Sequence, residues 1–186
     1  MRLTSLGPQG KYNTRLLKPR DIPDVQSLFM RTADYFEMAT GVAPANDEAK
    51  RAFVAGPPNR SVDDKRIIGV FDAADKLVGM LDALVDFPAD GEWTMGILLI
   101  DPDHRGAGLG ALVLSEYESW AAKNGAGKFH TALVSHHDPG MRFLERGGYR
   151  RQRELEIHKA DGRQATVVFF SKTTKSVPAQ QPGPAD

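Results

Sequence analysis

Three consecutive segments, WTMGILLI (93–100), DPDHRGAGLG (101–110) and ALVLSEYESW (111–120), decide the fold of this chain. The first has the length and apolar character of a buried strand, and the third has helical periodicity. Between them, Gly106, Gly108 and Gly110 occupy alternate positions of a turn. Another molecule can approach such a backbone closely because no Cβ stands in the way. The free N–H groups and positive dipole end of the following helix complete a predicted anion site, and the anion we expect is a pyrophosphate.

Two other glycine-rich phosphate loops fit these residues poorly. A Walker loop ends in Gly-Lys-Ser/Thr, whereas Gly110 is followed here by Ala111 and Leu112. A dinucleotide-binding loop has the spacing G-x-G-x-x-G near the start of its domain, and here the spacing is G-x-G-x-G in the middle of the chain. Gly96, within the strand, predicts a β-bulge or the close approach of another backbone.

Composition limits the classes of protein to which the chain can belong. Its 186 residues are 41% hydrophobic and 26% charged, with a formal net charge of zero, which is typical of one globular domain and not of a nucleic-acid-binding protein. The absence of cysteine excludes disulfides, thiolate metal sites and a cysteine nucleophile, and the five histidines have no metal-ligand spacing. No apolar run approaches the ~20 residues of a membrane-spanning helix, and the N-terminus lacks the apolar core of a signal peptide. We therefore expect a cytoplasmic protein without a metal.

Hydrophobic periodicity and turn residues predict an α/β fold, with a mixed, mostly antiparallel sheet of about seven strands flanked by about four helices. The helix after the glycines ends at Asn124-Gly125, so strand, helix and next strand form a parallel crossover. Residues 1–12 are expected to be a flexible lead and 173–186 a disordered, proline-rich tail. The predicted strands are 13–18, 65–71, 77–85, 92–100, 128–135, 149–159 and 164–170, and the other helices are 22–39, 45–54 and one beginning at Asp138.

Two motifs in this order resemble the GNAT superfamily of N-acetyltransferases. The family signature at the turn is Gln or Arg, two variable residues, Gly, one variable residue, then Gly or Ala, and Arg105, Gly108 and Gly110 meet it. The second motif is FLERGGY (143–149), at the appropriate distance downstream. The resemblance covers residues 13–172 as a single domain and implies the acyl-CoA N-acyltransferase fold, whose splayed sheet binds acetyl-coenzyme A in a V-shaped cleft beside the central strand.

The resemblance also implies which residues would bind acetyl-CoA. Backbone groups of Leu98, Leu99 and Ile100 would pair with the pantetheine arm like an added strand, and the N–H of Leu98 would be the oxyanion donor. Arg105 would either buttress the turn or meet a phosphate. His137 aligns with an asparagine of many relatives and is either a coenzyme contact or a solvated side chain. The pyrophosphate would be held by N–H groups of Gly106, Ala107, Gly108, Leu109, Gly110 and Ala111.

Proton transfer is less well defined by the resemblance. Many relatives protonate the leaving thiolate with a tyrosine, and the aligned residue here is Leu144, which cannot donate a proton. A thiol has a pKa of about 8.5, so the thiolate can leave without an acid. Relatives often use a glutamate near the start of the central strand as general base, which makes Glu92 the first candidate and Asp82 on the neighbouring strand the second. Either carboxylate could instead be an ordinary surface acid, with water relaying the proton.

The acceptor is described only in outline by the sequence. Tyr35 and Glu37 either line a substrate mouth or lie on the surface, and Trp93 is either a core residue or a wall of the acceptor pocket. The predicted activity is acetyl transfer from acetyl-CoA to a primary amine, in a monomer or a homodimer. The acceptor is a small amine, an amino acid or antibiotic, or a protein amine, and the neutral composition favours a small molecule over a polycation. The alternative is a non-catalytic acyl-CoA-binding module with a regulatory or sensory role, which the leucine at position 144 would suit.

Overall fold

One eight-stranded sheet, in the order β1-β2-β3-β4-β5-β6-β8-β7, forms the centre of the computed structural model, which describes residues 2–6, 11–58 and 60–174. The strands are β1 (Arg2–Leu6), β2 (Tyr12–Leu16), β3 (Lys65–Phe71), β4 (Leu77–Leu84), β5 (Glu92–Ile100), β6 (Lys128–Val134), β7 (Arg150–His158) and β8 (Gln164–Thr173). The helices are α1 (Ile22–Arg31), α2 (Ala33–Thr40), α3 (Glu48–Val54), α4 (Leu109–Lys123) and α5 (Asp138–Arg146). Among the described residues, no helix is long and apolar enough to cross a membrane.

The predicted mixed, mostly antiparallel sheet is confirmed, because β5 and β6 are its parallel pair and all other neighbouring strands are antiparallel. Helix α4 makes the crossover between the parallel strands. Two details differ from the expectation. Residues 2–6 form a strand paired with β2 where a flexible lead was expected. Strand β8 extends to Thr173, the first residue of the expected tail 173–186, and residues 175–186 of that tail lie outside the described residues.

The predicted helix over 22–39 is two helices in the structure, with a break at Thr32. The Thr32 backbone leaves the helical region at φ −108° and ψ 30°. Its buried hydroxyl donates to the carbonyl of Leu28 at 2.9 Å. A side chain that bonds back to the preceding turn bends a helix, which explains the break.

Two hydrophobic cores lie on opposite faces of the sheet. The larger one packs α4 and α5 against the sheet and includes Tyr117, Phe129 and Phe170. The smaller one packs α1, α2 and α3 on the other face and includes Leu28, Phe29 and Met80. Burying each such side chain contributes roughly 1.5–3 kcal/mol to stability. Helices therefore stabilise the sheet by packing on both of its faces.

The parallel strands β5 and β6 separate after only three paired residues. Glu92, Trp93 and Thr94 pair with Lys128, Phe129 and His130 respectively. Beyond Thr94, β6 continues to pair with β8, while residues 95–100 of β5 keep only β4 as a neighbour. The sheet therefore opens into a V whose closed end lies at Thr94.

A β-bulge at Gly96 changes which way the side chains of β5 point. Asp82 on β4 faces Ile97, and the next residue, Ala83, faces Met95, so Gly96 is the extra residue. Met95 belongs to the core under α4 and α5, whereas Ile97 packs against the opposite core. The predicted bulge is confirmed, and it lies beside the point where the strands part.

Candidate active site

A cavity of about 1210 Å³ occupies the opening between β5 and β6. All residues from Met95 to Ile100 border it, so the unpaired edge of β5 forms one wall. Helices α4 and α5 border the cavity on one face of the sheet, and Tyr35 and Met38 of α2 border it on the other. The residues that line the cavity therefore come from both faces of the sheet.

The glycine turn forms the mouth of this cavity on the α4 side. Gly106 and Gly108 have φ of 80° and 83°, a conformation that L side chains rarely adopt, and a Cβ added to either would meet nothing within 4 Å. Both glycines line the cavity. Gly110 differs, because a Cβ added there would lie in ordinary contact with the ring of Phe143 on α5, 3.6 Å away. The two positive-φ glycines thus leave an open concavity in front of the backbone.

Backbone N–H groups face this concavity without partners. The N–H of Leu112 donates to the carbonyl of Gly108 at 3.1 Å and begins the hydrogen-bond ladder of α4. In the part of the chain that the structure describes, no backbone carbonyl accepts a hydrogen bond from the N–H groups of residues 106–111. A helix N-terminus with free donors and the positive end of its dipole attracts an anion.

Asp101 fixes the direction in which the chain leaves β5 for the turn. It is 1% exposed, accepts a hydrogen bond from Arg31 Nε at 2.6 Å, and accepts one from the backbone N–H of Asp103 at 3.2 Å. The Arg31 guanidinium and these donors hold the pKa of Asp101 below its usual range against the opposing effect of burial. Asp101 therefore connects the start of the turn to α1 through Arg31.

Arg105 buttresses the turn. Its Nε donates to the carbonyl of Ile100 at 2.8 Å, and its two terminal nitrogens lie 2.5 and 3.1 Å from the carboxylate oxygens of Asp34 on α2. The same guanidinium lowers the pKa of Asp34. Of the two roles expected for Arg105, the structure shows the buttress.

His137 precedes α5 and borders the cavity. Its Nδ1 is buried without a hydrogen-bond partner among the described residues. Gly140, one turn into α5, makes room for the ring, because a Cβ there would collide with the imidazole. Burial is the largest cause of the lowered pKa of His137. The coenzyme contact of His137 stays a prediction.

Leu144 lies in the wall of the cavity and is 4% exposed. It is the leucine that aligns with the proton-donating tyrosine of many relatives. Near it is a polar cluster that sequence reasoning missed. Lys172 Nζ on β8 donates to Glu118 Oε2 on α4 at 2.5 Å, and both side chains border the cavity. The other carboxylate oxygen of Glu118 and the hydroxyl of Tyr149 are buried without a hydrogen-bond partner among the described residues. Burial and the Glu118 charge raise the pKa of Tyr149.

One sequence signal could have identified Glu118. It lies four residues after the buried Leu114, and residues four apart share a face of a helix. The Leu114 face of α4 was therefore the face on which to expect it. Lys172 gave no such signal, since it falls beyond the end of the predicted strand 164–170.

Glu92, the first candidate for general base, does not reach the cavity. It lies at the closed end of the V, 2.6 Å from His130 Nε2 and 3.3 Å from Lys128 Nζ. The hydrogen bond to His130 is the largest cause of its lowered pKa. A carboxylate that is already paired with two basic side chains is a weak base.

Asp82 and Trp93 also lie elsewhere than the catalytic hypotheses required. Asp82 is paired with Lys65 at 2.9 Å and does not border the cavity, although burial raises its pKa. Trp93 is 2% exposed and packs edge-on against Trp120 in the core under α4. Of the two expected acceptor contacts on α2, Tyr35 borders the cavity and Glu37 lies outside it.

We expect Glu92→Gln to leave kcat/KM within about twofold of the parent and to change stability instead. Because the pKa of Glu92 is lowered in the folded state, its pairs stabilise the protein above the unfolded pKa of about 4.3 and are lost as the pH falls through the folded value. The variant should therefore melt below the parent at pH 7, and the difference should shrink as the pH falls below about 4.3. Melting curves from pH 3 to 8, with rates on the same samples, test this. A rate loss beyond tenfold at unchanged folding would return Glu92 to the mechanism.

The splayed sheet and the cavity between the parted strands are those of the acyl-CoA N-acyltransferase fold. A family model described as "Acetyltransferase (GNAT) family" matches residues 28–149. The chain belongs to this family. Comparison with curated protein sequences gave no match.

Solved structures with the same fold include several acetyltransferases of low sequence identity. An acetyltransferase from Thermus thermophilus is 23% identical, with a TM-score of 0.67 over 88% of this chain and 97% of that one. Spermidine N-acetyltransferase from Vibrio cholerae, in complex with CoA and spermine, is 15% identical, with a TM-score of 0.69 over 89% and 96%. The ribosomal-protein-S18-alanine N-acetyltransferase from Escherichia coli is 14% identical, with a TM-score of 0.66 over 92% and 99%. At these identities the likeness shows the fold alone.

Proposed function

We propose that this protein transfers the acetyl group of acetyl-CoA to a primary amine by direct attack of the amine on the thioester. The observation that carries the proposal is the cavity between β5 and β6, whose lining comes from both faces of the sheet. The glycine turn lies on one face and α2 on the other. A donor bound at the turn and an acceptor bound beside α2 would therefore meet between the parted strands.

The donor would lie along the unpaired edge of β5. Its pyrophosphate would accept hydrogen bonds from the N–H groups of residues 106–111, and its pantetheine arm would pair with the backbone of Leu98, Leu99 and Ile100, which border the cavity. From the turn the arm can only run down the V, so the thioester would lie toward the closed end at Thr94. The N–H of Leu98, two residues after the bulge, is the proposed donor to the developing oxyanion.

Proton transfer in this cavity would rely on solvent more than on a carboxylate. The acceptor ammonium, with a pKa near ~10.4, must lose a proton before it attacks, and the candidate bases Glu92 and Asp82 are paired elsewhere. When the tetrahedral intermediate collapses, the C–S bond breaks and the thiolate leaves with a pKa of about 8.5, which requires no acid near neutral pH. The rate should therefore rise with pH across the range in which more of the amine is neutral.

The relatives do not decide which amine is used. One structural neighbour is named for spermidine and another for a protein alanine, so acceptors of very different size occur on this fold. The rival to an enzyme is a non-catalytic acyl-CoA-binding module, and its support is the leucine at position 144 in the cavity wall.

Release of free thiol from acetyl-CoA in the presence of primary amines tests the proposal. We expect saturable release with at least one amine of a broad panel, well above the rate without amine, and an increase of the rate from pH 7 to 9. Mass spectrometry of the product should show one added acetyl group. Saturable binding of acetyl-CoA without thiol release for any amine would favour the non-catalytic module.

A further inference from the structure

Apart from Asp34, which is paired with Arg105, the α2 residues that border the cavity are mostly apolar. Tyr35, Met38 and Ile97 border it there, and β6 contributes Ala132. Alternation along β6 places Ala132 on the face of His130, which bonds to Glu92, and away from Phe129 in the core under α4. The polar group of this set is the Tyr35 hydroxyl, and burial raises the pKa of Tyr35 to about 12, so it stays neutral.

Three carboxylates near this side are engaged with basic side chains, whereas Glu37 of α2, which has no ion pair among the described residues, lies outside the cavity. Both oxygens of Asp34 accept from Arg105, Asp82 pairs with Lys65, and Glu92 pairs with His130 and Lys128. An ammonium brought into this part of the cavity would lose its hydration and gain no ion pair. The reacting amine escapes this penalty because it loses its proton, whereas a second ammonium on the same acceptor would not.

The hairpin between β7 and β8 contacts the end of α2. The backbone N–H of Ala160 donates to the carbonyl of Thr40 at 3.0 Å, and Lys159 Nζ donates to the carbonyl of Met38 at 2.6 Å. Gly41 ends α2 with φ 88° and lies so close to Asp161 that a Cβ would collide with its carboxylate. The hairpin thus fixes the end of α2, whose Met38 borders the cavity, and a wall fixed in this way favours small acceptors over folded ones.

From these three observations we propose that the acceptor is a small primary amine with an apolar body and a single cationic group, bound among Tyr35, Met38, Ile97 and Ala132. Polyamines and lysine-rich peptides are disfavoured because each would bring an unpaired ammonium into a mostly apolar space. The inference rests on the proposed acetyl transfer and adds the chemical class of the acceptor to it.

Competition between matched acceptors tests this class. With acetyl-CoA as donor, kcat/KM for 2-phenylethylamine should exceed that for spermidine and for a lysine-containing peptide at least about tenfold at pH 8. A higher value for spermidine or for the peptide would overturn the acceptor class and leave acetyl transfer intact. No thiol release with any of the three and with the broad panel, while acetyl-CoA still raises the melting temperature, would overturn the proposed function itself.

A carboxylate added on the α2 side of the cavity tests whether the acceptor binds there. Ala132→Glu should raise kcat/KM for spermidine relative to 2-phenylethylamine about tenfold, since the new charge can pair with the second ammonium. Ala73→Glu is the matched control, because Ala73 is exposed in the turn between β3 and β4, outside the cavity. The ratio of kcat/KM for spermidine to kcat/KM for 2-phenylethylamine should be the same in Ala73→Glu as in the parent. Equal ratios for the two variants would show that the acceptor does not bind on this face.

Discussion

Gly108→Val is expected to abolish the stabilisation of this protein by acetyl-CoA. A side chain at Gly108 would project into the open concavity where the proposed pyrophosphate accepts its hydrogen bonds. A ligand present at 100 times its dissociation constant stabilises a folded protein by about 2.7 kcal/mol. For a chain of this size that corresponds to a rise in melting temperature of roughly 5–10 °C. The variant should show a rise below about 1 °C under the same conditions, measured by thermal denaturation with and without acetyl-CoA.

The control for this experiment must carry the same backbone strain. Gly125, at the other end of α4, also has a positive φ of 100°, and a Cβ there would also meet nothing within 4 Å. Both valine variants should lose about 1–2 kcal/mol or more of unfolding free energy through the left-handed conformation. Only Gly125→Val should keep the full response to acetyl-CoA. If Gly108→Val responds like its control, the pyrophosphate does not bind at this turn.

Lys172→Met is expected to lower the free energy of unfolding by about 3 kcal/mol. It would leave Glu118, whose side chain is 14% exposed, as a charge without a partner beside the hydroxyl of Tyr149. Removing one member of a buried ion pair typically costs about 3–5 kcal/mol, and the partial access of Lys172 to the cavity, at 28% exposed, places this pair at the lower end. Urea denaturation at pH 7 measures the difference.

A double variant separates the ion pair from simple loss of packing. Glu118→Leu combined with Lys172→Met should recover most of the lost stability, because no uncompensated charge remains. The exposed pair of Arg151 and Glu145 serves as control, and Glu145→Gln should change the unfolding free energy by less than about 1 kcal/mol. A double variant no more stable than Lys172→Met would mean that packing, and not charge, holds this part of the cavity wall.

The parts of the molecule that the sequence predicts well depend on local chemistry. Three features were predicted from residues next to one another: the apolar run of β5, the bulge at Gly96 and the glycine turn. Each depends on backbone conformation within a few residues, so the local sequence is enough to predict it. The break at Thr32 escaped prediction because a threonine inside an apolar stripe bends the helix only when its hydroxyl bonds back to Leu28. The strand at 2–6 escaped because its pairing with β2, and not its own periodicity, forms it.

Acidic residues were harder to assign because their partners are distant in sequence. Glu92 was the first candidate for general base, but His130, 38 residues later, is its hydrogen-bond partner. Glu118 was not singled out, and Lys172, 54 residues later, makes it part of the cavity wall. Whether a carboxylate is a base, a substrate contact or half of an ion pair is decided by strand register, and register is a property of the whole sheet.

The parting of β5 and β6 leaves an unpaired strand edge among the described residues. An unpaired strand edge on a protein surface is a template on which strands of other molecules can assemble. Residues 95–100 border a cavity that α4 and α5 line on one side and α2 on the other. Helices therefore flank this edge, and covering an edge with helices is one way in which a sheet limits pairing with neighbouring molecules.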